Sequence, residues 1–143
     1  MTTYEASAVI DAPVDVVWAV LQDGAAYPTW GSGVERVEGT IAEGAKVKVF
    51  SSVSPGRAFP VRVHLDPARS TMTWTGGMPL GLFRGVRTFT VVARGGGSEV
   101  TMREVFSGPL LGPITKKMPD LGPSFTQFVT ALKARAEHVA AGG

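Results

Sequence analysis

Two residues of opposite charge interrupt an otherwise apolar pattern in two strand-like segments. Arg87 alternates with Phe89 in the first segment, and Glu104 alternates with Met102 and Phe106 in the second. Alternate residues of a strand lie on one face, so both charges are expected on the apolar face. Counting back from the glycine-rich turn between the segments places Arg87 opposite residues 104–106. Because a charge buried alone costs several kcal/mol, we expect the two side chains to pair.

This pair permits three kinds of chemistry. It orients the polar end of a ligand, it provides Glu104 as a general acid or base, or it is a structural ion pair at the mouth of a cavity. A general base must lie within reach of the substrate proton, and a neighbouring arginine favours the ionised carboxylate and weakens it as a base. Ligand orientation is therefore the preferred interpretation, with Glu104 as the one catalytic candidate.

Other chemistries find no support in the sequence. The chain has two histidines, His64 and His138, and no cysteine, so no metal site and no cofactor are expected. His64 has the opposite parity to Val63 and is predicted to point away from the apolar face. The chain also lacks a Gly-x-Ser-x-Gly nucleophile motif and any phosphate-binding loop.

Length and composition indicate a globular protein with one domain, residues 1–143. The sequence is 44% hydrophobic and 18% charged, with a net charge of +2. Its densest basic cluster is Lys116-Lys117, so nucleic acid is not an expected partner. No apolar run reaches the roughly 18 residues of a membrane span, so no membrane insertion is expected. The lack of a signal peptide and of cysteine favours a cytoplasmic protein, either a monomer or a homodimer.

Seven segments have the alternation and length of strands. They are residues 3–11, 34–40, 45–53, 59–66, 71–76, 83–93 and 99–107. Ser54-Pro55-Gly56-Arg57 has the signature of a type II turn, and residues 66–69 and 94–98 are further short links. Short links between consecutive strands predict an antiparallel sheet.

Helical periodicity appears near both ends of the chain. Pro13 precedes an apolar stripe that starts at Val14, and residues 25–33 allow a further helical turn. A longer stripe, which includes Phe128 and Leu132, predicts a C-terminal helix that ends near residue 139 and faces the sheet. This helix should begin between Pro119 and Ser124, since proline is excluded from a helix interior.

These elements predict an α+β fold in which a curved, seven-stranded antiparallel sheet wraps around the long C-terminal helix, with two short helices after the first strand. Such a sheet tends to leave a hollow beside the helix, and a few polar groups in an apolar hollow are typical of small-molecule sites. The residues predicted to line it are Trp30, Val63, Trp74, Phe83, Arg87, Phe89, Met102, Glu104, Phe106, Phe125 and Val129.

Several short motifs, in this order, suggest a family. They are Ile-Asp-Ala-Pro at 10–13 with Val17-Trp18, Tyr27-Pro28-x-Trp30, Asp66-Pro67 before Met72-Thr73-Trp74, residues 85–89, and Glu104-Val105-Phe106-Ser107-Gly108. The chain resembles the START/Bet v 1-like (SRPBCC) superfamily, in particular its small bacterial polyketide cyclase/dehydrase-like members. The resemblance covers essentially the whole chain. It implies the helix-grip fold with a hydrophobic cavity between the sheet and the C-terminal helix.

The resemblance does not select one activity, because the superfamily includes lipid carriers, hormone receptors, cyclases and oxygenase subunits. Many bacterial relatives carry a histidine where Arg87 stands and a polar residue where Gly31 stands, so no catalytic histidine is carried over. We therefore expect the protein to bind a lipid-like, aromatic or polyketide-like molecule. The alternative is a cyclase or dehydratase with Glu104 as acid or base. The apolar residues of the 76–83 loop are either a gate to the cavity or a packing or dimer contact.

Overall fold

A computed structural model describes residues 1–143, and seven strands of the chain form one curled antiparallel sheet. The strands are β1 (Thr2–Ile10), β2 (Val34–Glu38), β3 (Lys46–Ser51), β4 (Ala58–Asp66), β5 (Thr71–Gly77), β6 (Arg84–Arg94) and β7 (Gly97–Ser107). Their order in the sheet is β1-β7-β6-β5-β4-β3-β2. The first and last strands of the chain are therefore neighbours, and the predicted antiparallel meander is confirmed.

Helices cover one face of this sheet. They are α1 (Val14–Gln22), a 3₁₀ helix (Gly24–Trp30) and α3 (Gly122–Ala140). A further short helix, α2 (Leu111–Thr115), lies between β7 and α3 in the chain. The long helix α3 begins inside the predicted window and keeps Pro123 in its first turn, where proline costs no hydrogen bond. α2 was not predicted from the sequence, because five residues are too few to give a periodic signal. No helix is long and apolar enough to cross a lipid bilayer.

The three short links predicted from the sequence all join neighbouring strands, and the link at 66–69 contains a 3₁₀ turn, Pro67–Arg69. Arg57 N–H donates to the Ser54 carbonyl at 3.2 Å with Gly56 at φ +75°, as the type II signature predicts. The β6–β7 hairpin is tighter than the predicted five-residue link, because Arg94 pairs with Gly97. A two-residue turn of this kind favours glycine in the left-handed region, and Gly95 has φ +58°.

The main core lies between α3 and the sheet. Phe128 and Leu132 of α3 are buried against it, as the helical stripe predicts. Tyr27 from the 3₁₀ helix is fully buried, and its hydroxyl donates to the Leu21 carbonyl. At the end of α3, the Glu137 carboxylate accepts hydrogen bonds from the Asp11 amide at 2.8 Å and from a lysine one turn earlier. The last turns of α3 are thus tied to the end of β1.

Candidate functional site

Five neighbouring strands contribute one residue each to a row across the inner face of the sheet. The register aligns Tyr4 with Glu104, Glu104 with Arg87, Arg87 with Trp74, and Trp74 with Val63. Inward-facing neighbours in such a row lie close enough to interact. The row therefore brings a carboxylate, a guanidinium group and an indole N–H together on an otherwise apolar face.

Arg87 and Glu104 form a salt bridge, as the sequence predicts. The Arg87 Nη2 lies 2.7 Å and its Nε 2.8 Å from the same carboxylate oxygen, Glu104 Oε1. The side chains are only 24% and 12% exposed. Two donors on one oxygen leave the Arg87 Nη1 and the Glu104 Oε2 outside this pairing. The pair is thus neutral as a whole, with one donor nitrogen and one acceptor oxygen outside the pairing.

Aromatic rings surround the guanidinium group of Arg87. Its Cζ lies 4.7 Å from the centroid of the Phe125 ring and 5.9 Å from that of Trp74, and both contacts are within cation–π range. The Trp74 side chain is buried, and its Nε1 has no hydrogen-bond partner. A buried N–H without a partner costs free energy, so Trp74 Nε1 is an unsatisfied donor beside the ion pair.

The end of the sheet beyond this row lacks side chains on two adjacent strands. Gly76 and Gly85 face each other there. A Cβ on Gly85 would lie 2.7 Å from the Glu104 Oε2 and 3.0 Å from the Phe106 ring, so this glycine makes room for both side chains. Phe106 stacks on Phe83, with ring centroids 5.6 Å apart. Phe83 and Phe106 thus cover this end of the layer between the sheet and α3.

The hollow predicted between sheet and helix is filled by side chains, which corrects the expectation of an open cavity. Val63, Phe89, Met102, Phe125 and Val129 are at most 1% exposed. Aromatic rings supply most of the volume: Trp74 lies 4.7 Å from Phe89, and Phe89 lies 5.6 Å from Phe128. Sequence periodicity identified the correct face but could not show how completely these rings would fill it.

Two pockets occur outside this layer. A groove of about 380 Å³ is lined by Asp15, Val16, Ala19, Val20, Asp23, Ala26, Trp30, Arg135 and Val139. A shallow pocket of about 430 Å³ lies on Val86, Thr88, Thr90, Thr101, Arg103 and Val105. Trp30 belongs to the first of these and packs on Tyr27 and Phe128. Of the eleven residues predicted to line the hollow, Trp30 is therefore the one that the structure places beside a different pocket.

Tyr27 is a residue of the layer that the sequence analysis did not select. Its ring lies 6.3 Å from Trp74. Burial raises the pKa of its hydroxyl, Asp23 raises it further, and Arg87 acts in the opposite direction. Tyr27 therefore stays protonated and cannot serve as a base. A signal was present in the sequence, because the Tyr27-Pro28-x-Trp30 motif places Tyr27 three residues before Trp30, which was selected.

The two histidines lie on the surface. His64 points away from the core, as its parity predicts, and its Nδ1 lies 3.2 Å from the Glu43 carboxylate. The Leu65 amide and His64 lower the pKa of Glu43 by hydrogen bonding. His138 is exposed near the end of α3. No three His, Asp or Glu side chains are grouped as a metal ion would require.

Comparison with solved structures places this geometry in a known fold. A protein from Thermus thermophilus, TTHA0849, is 19% identical, with a TM-score of 0.72 over 97% of this chain and 99% of its own. A START superfamily protein from Mycobacterium smegmatis is 17% identical, with a TM-score of 0.70 over 96% and 98%. The Zhui aromatase/cyclase from a Streptomyces species is 20% identical, with a TM-score of 0.68 over 99% and 98%.

Sequence comparison gives the family directly. No curated protein matches the chain. The model of the family described as "Polyketide cyclase / dehydrase and lipid transport" matches residues 1–137. This match covers nearly the whole chain, and it agrees with the helix-grip arrangement of the curled sheet around α3. The chain therefore belongs to the polyketide cyclase / dehydrase and lipid transport family.

Proposed function

We propose that the protein binds an apolar small molecule with one acidic end. The binding site is the end of the layer between the sheet and α3 that Phe83 and Phe106 cover. The observation that carries this proposal is the Arg87–Glu104 pair, which is largely buried among aromatic rings and leaves the Arg87 Nη1 outside the pairing. A salt bridge in such a place is weak support for stability, because desolvation offsets much of the attraction. A role in recognising a ligand gives the pair a reason to be there.

The free donors define the class of ligand group. Arg87 Nη1 and Trp74 Nε1 both donate and neither accepts, so they select an oxygen that only accepts, such as a carboxylate or an enolate. Arginine binds planar anions through two parallel hydrogen bonds when it is free to turn toward them. The rings of Phe106 and Phe125 would then cover the apolar body of the ligand.

Binding requires the closed layer to open. Phe83 and Phe106 stack at the entrance, and Phe83 is carried by an exposed loop at the start of β6. Displacement of Phe83 would expose Phe106 and the glycine pair behind it without disturbing the Leu132 region of the core. The ligand-competent state is then a less populated conformation that the ligand stabilises.

Matched probes test the proposal. We expect 2-naphthoate to bind more tightly than 2-naphthamide, which has nearly the same shape without the charge. Arg87→Met should reduce the affinity for the acid about tenfold or more and leave that for the amide nearly unchanged, since a charge-assisted hydrogen bond contributes about 1.5–3 kcal/mol. Arg94→Met is the control, because Arg94 pairs with Glu99 on the surface of the same two strands. Equal losses for both probes, or a loss with Arg94→Met alone, would contradict the proposal.

The alternative function is a cyclase or dehydratase, and it rests on the second oxygen of Glu104. That oxygen receives neither hydrogen bond from Arg87, so it is available to accept a proton from a bound substrate. In that case small molecules extracted from the native protein should be converted on incubation with it. Glu104→Gln would abolish the conversion while binding survives. Extracted molecules that remain unchanged by the native protein would favour binding alone.

A further inference from the structure

Three large apolar side chains are exposed within five residues at one end of the molecule. Met78 is 43%, Leu80 97% and Leu82 37% exposed. We call these three residues the apolar tip. Single exposed apolar residues are common on protein surfaces, but a cluster at one protruding turn marks an interaction site. Leu80 in particular has almost no contact with the rest of the chain.

The backbone holds the apolar tip in place. Met78 N–H donates to the Phe83 carbonyl at 2.8 Å, and Leu110 N–H donates to the Leu82 carbonyl at 2.9 Å. Leu80 has φ +61°, a left-handed conformation that residues with a side chain seldom adopt. The fold thus fixes a leucine in an unfavourable conformation that aims it away from the core.

The surface around the apolar tip is basic. Arg84, Lys116 and Lys117 are exposed, and none of them forms a salt bridge. Residues 67–98 and 105–119 contain no Asp or Glu. Two carboxylates border the ends of these segments near α2: Glu104 pairs with Arg87, whereas Asp120 is exposed, accepts the Gly122 amide and keeps its negative charge.

The lysines lie close to the apolar tip because of α2. Leu110, which is bonded to the Leu82 carbonyl, immediately precedes this helix. Lys116 follows its last residue, and six residues of helix correspond to about 9 Å. The backbone that carries the lysines therefore starts at the apolar tip and stays within about two helical turns of it.

We propose that this surface docks on an anionic lipid bilayer, with Leu80 in the interfacial region and Lys116 and Lys117 against the head groups. A protruding leucine needs a matching pocket on a protein partner, whereas a fluid bilayer accepts it without one. Lipid phosphates match a surface on which three exposed cations, Arg84, Lys116 and Lys117, outnumber the exposed Asp120 carboxylate. The contact is peripheral. The proposal goes beyond ligand binding and does not depend on it.

Vesicle sedimentation tests this surface. The protein should sediment with vesicles of phosphatidylcholine and phosphatidylglycerol, less with phosphatidylcholine alone, and less at high salt. Leu80→Asn should lower the partition coefficient at least about tenfold, because burial of one leucine is lost. Asparagine tolerates the left-handed conformation, so this variant should fold. Leu80→Gly provides a second variant with the same expected loss.

Charge variants and controls complete the design. Replacement of Lys116 or Lys117 by Gln should lower binding to the anionic vesicles roughly fivefold for each lysine. Val92→Ser, which changes an exposed apolar residue on β6, and Lys48→Gln on β3 should leave binding unchanged. Absence of sedimentation with anionic vesicles at low salt would overturn the proposal and assign the surface to a protein partner. Equal partition of the Leu80 variants and the native chain would also overturn it.

Discussion

The layer between the sheet and α3 has two regions of opposite character. In the region around Leu132, Phe128 and Tyr27, apolar side chains are buried and the tyrosine hydroxyl has its acceptor. In the region around Arg87 and Trp74, a charged pair sits among aromatic rings and an indole N–H has no partner. Each region also holds one buried indole N–H without a partner, because Trp30 Nε1 in the first lacks an acceptor as Trp74 Nε1 does in the second. The charged pair is therefore what distinguishes the second region from the first.

Because of this difference, we expect the first region to contribute mainly to stability and the second mainly to ligand recognition. Close packing of apolar side chains stabilises a fold without need of anything else. A buried polar group without a partner lowers the stability of the free protein, and a largely buried ion pair adds little to it. Substitutions in the two regions should therefore differ in kind, and the following predictions are ordered by the size of the effect.

The largest effect is expected in the apolar region around Leu132. Leu132→Ala should destabilise the protein by about 2–5 kcal/mol, the usual range for truncation of a buried leucine. Because the layer is filled, no existing void reduces this cost. Denaturant unfolding gives the free energy, and Thr130→Ala on the exposed side of α3 is the control, with a change within about 0.5 kcal/mol. A loss below about 0.5 kcal/mol for Leu132→Ala would show that the helix does not pack as described.

An intermediate effect is expected for the ion pair. Glu104→Leu should cost about 1–3 kcal/mol, less than for a fully buried pair, because it leaves Arg87 without its carboxylate while water still reaches the guanidinium. The double variant Arg87→Met/Glu104→Leu should recover most of that loss, since apolar groups replace both charges. A double-mutant cycle measures the coupling. Losses that simply add would mean that the pair does not act as a unit.

A smaller effect is expected for Tyr27→Phe. The change removes the hydrogen bond to the Leu21 carbonyl and preserves the ring contacts with Trp30 and Phe128, so we expect a loss of about 1 kcal/mol. Thermal unfolding of the two proteins under one condition gives the difference. If Tyr27→Phe is as costly as Leu132→Ala, the hydroxyl has a larger role than one hydrogen bond.

The smallest effect is a pH dependence at the end of α3. The hydrogen bond from Lys133, together with the Asp11 amide, lowers the pKa of Glu137 from 4.5. A lowered pKa in the folded state contributes stability above the unfolded value, and this contribution is lost as the pH falls through the folded value. The stability difference between the native chain and Glu137→Gln should thus be present at pH 7 and vanish in acid. Glu35→Gln, at an exposed residue outside the ion pairs of the surface, should show no such pattern.

The sequence predicted the fold well because the fold depends on periodicity and turn chemistry. Alternation around Arg87 and Glu104 placed both side chains on the inner face, and the proline rule located the start of α3. The prediction of an open cavity was wrong, because periodicity assigns a side chain to a face but does not measure the volume that it fills. The closure by Phe83 depends on where a glycine-rich loop lies, and local patterns do not determine that.

The unpartnered Trp74 nitrogen also could not be predicted. Which indole finds an acceptor depends on contacts between distant strands, and nothing near Trp74 in the chain specifies them. The role of Gly85 could not be predicted from the sequence either. Its sequence context indicates a strand, but only the register shows that a side chain there would collide with Glu104 and Phe106.

The most direct test of the account is a crystal structure of the protein with 2-naphthoate. We predict that the carboxylate lies within hydrogen-bond distance of the Arg87 guanidinium and the Trp74 Nε1. The naphthalene ring should lie between Phe106 and Phe125, with Phe83 displaced from its stack. A naphthoate bound instead in the groove beside Trp30, with the Arg87–Glu104 pair unchanged and the layer closed, would contradict the assignment of this site.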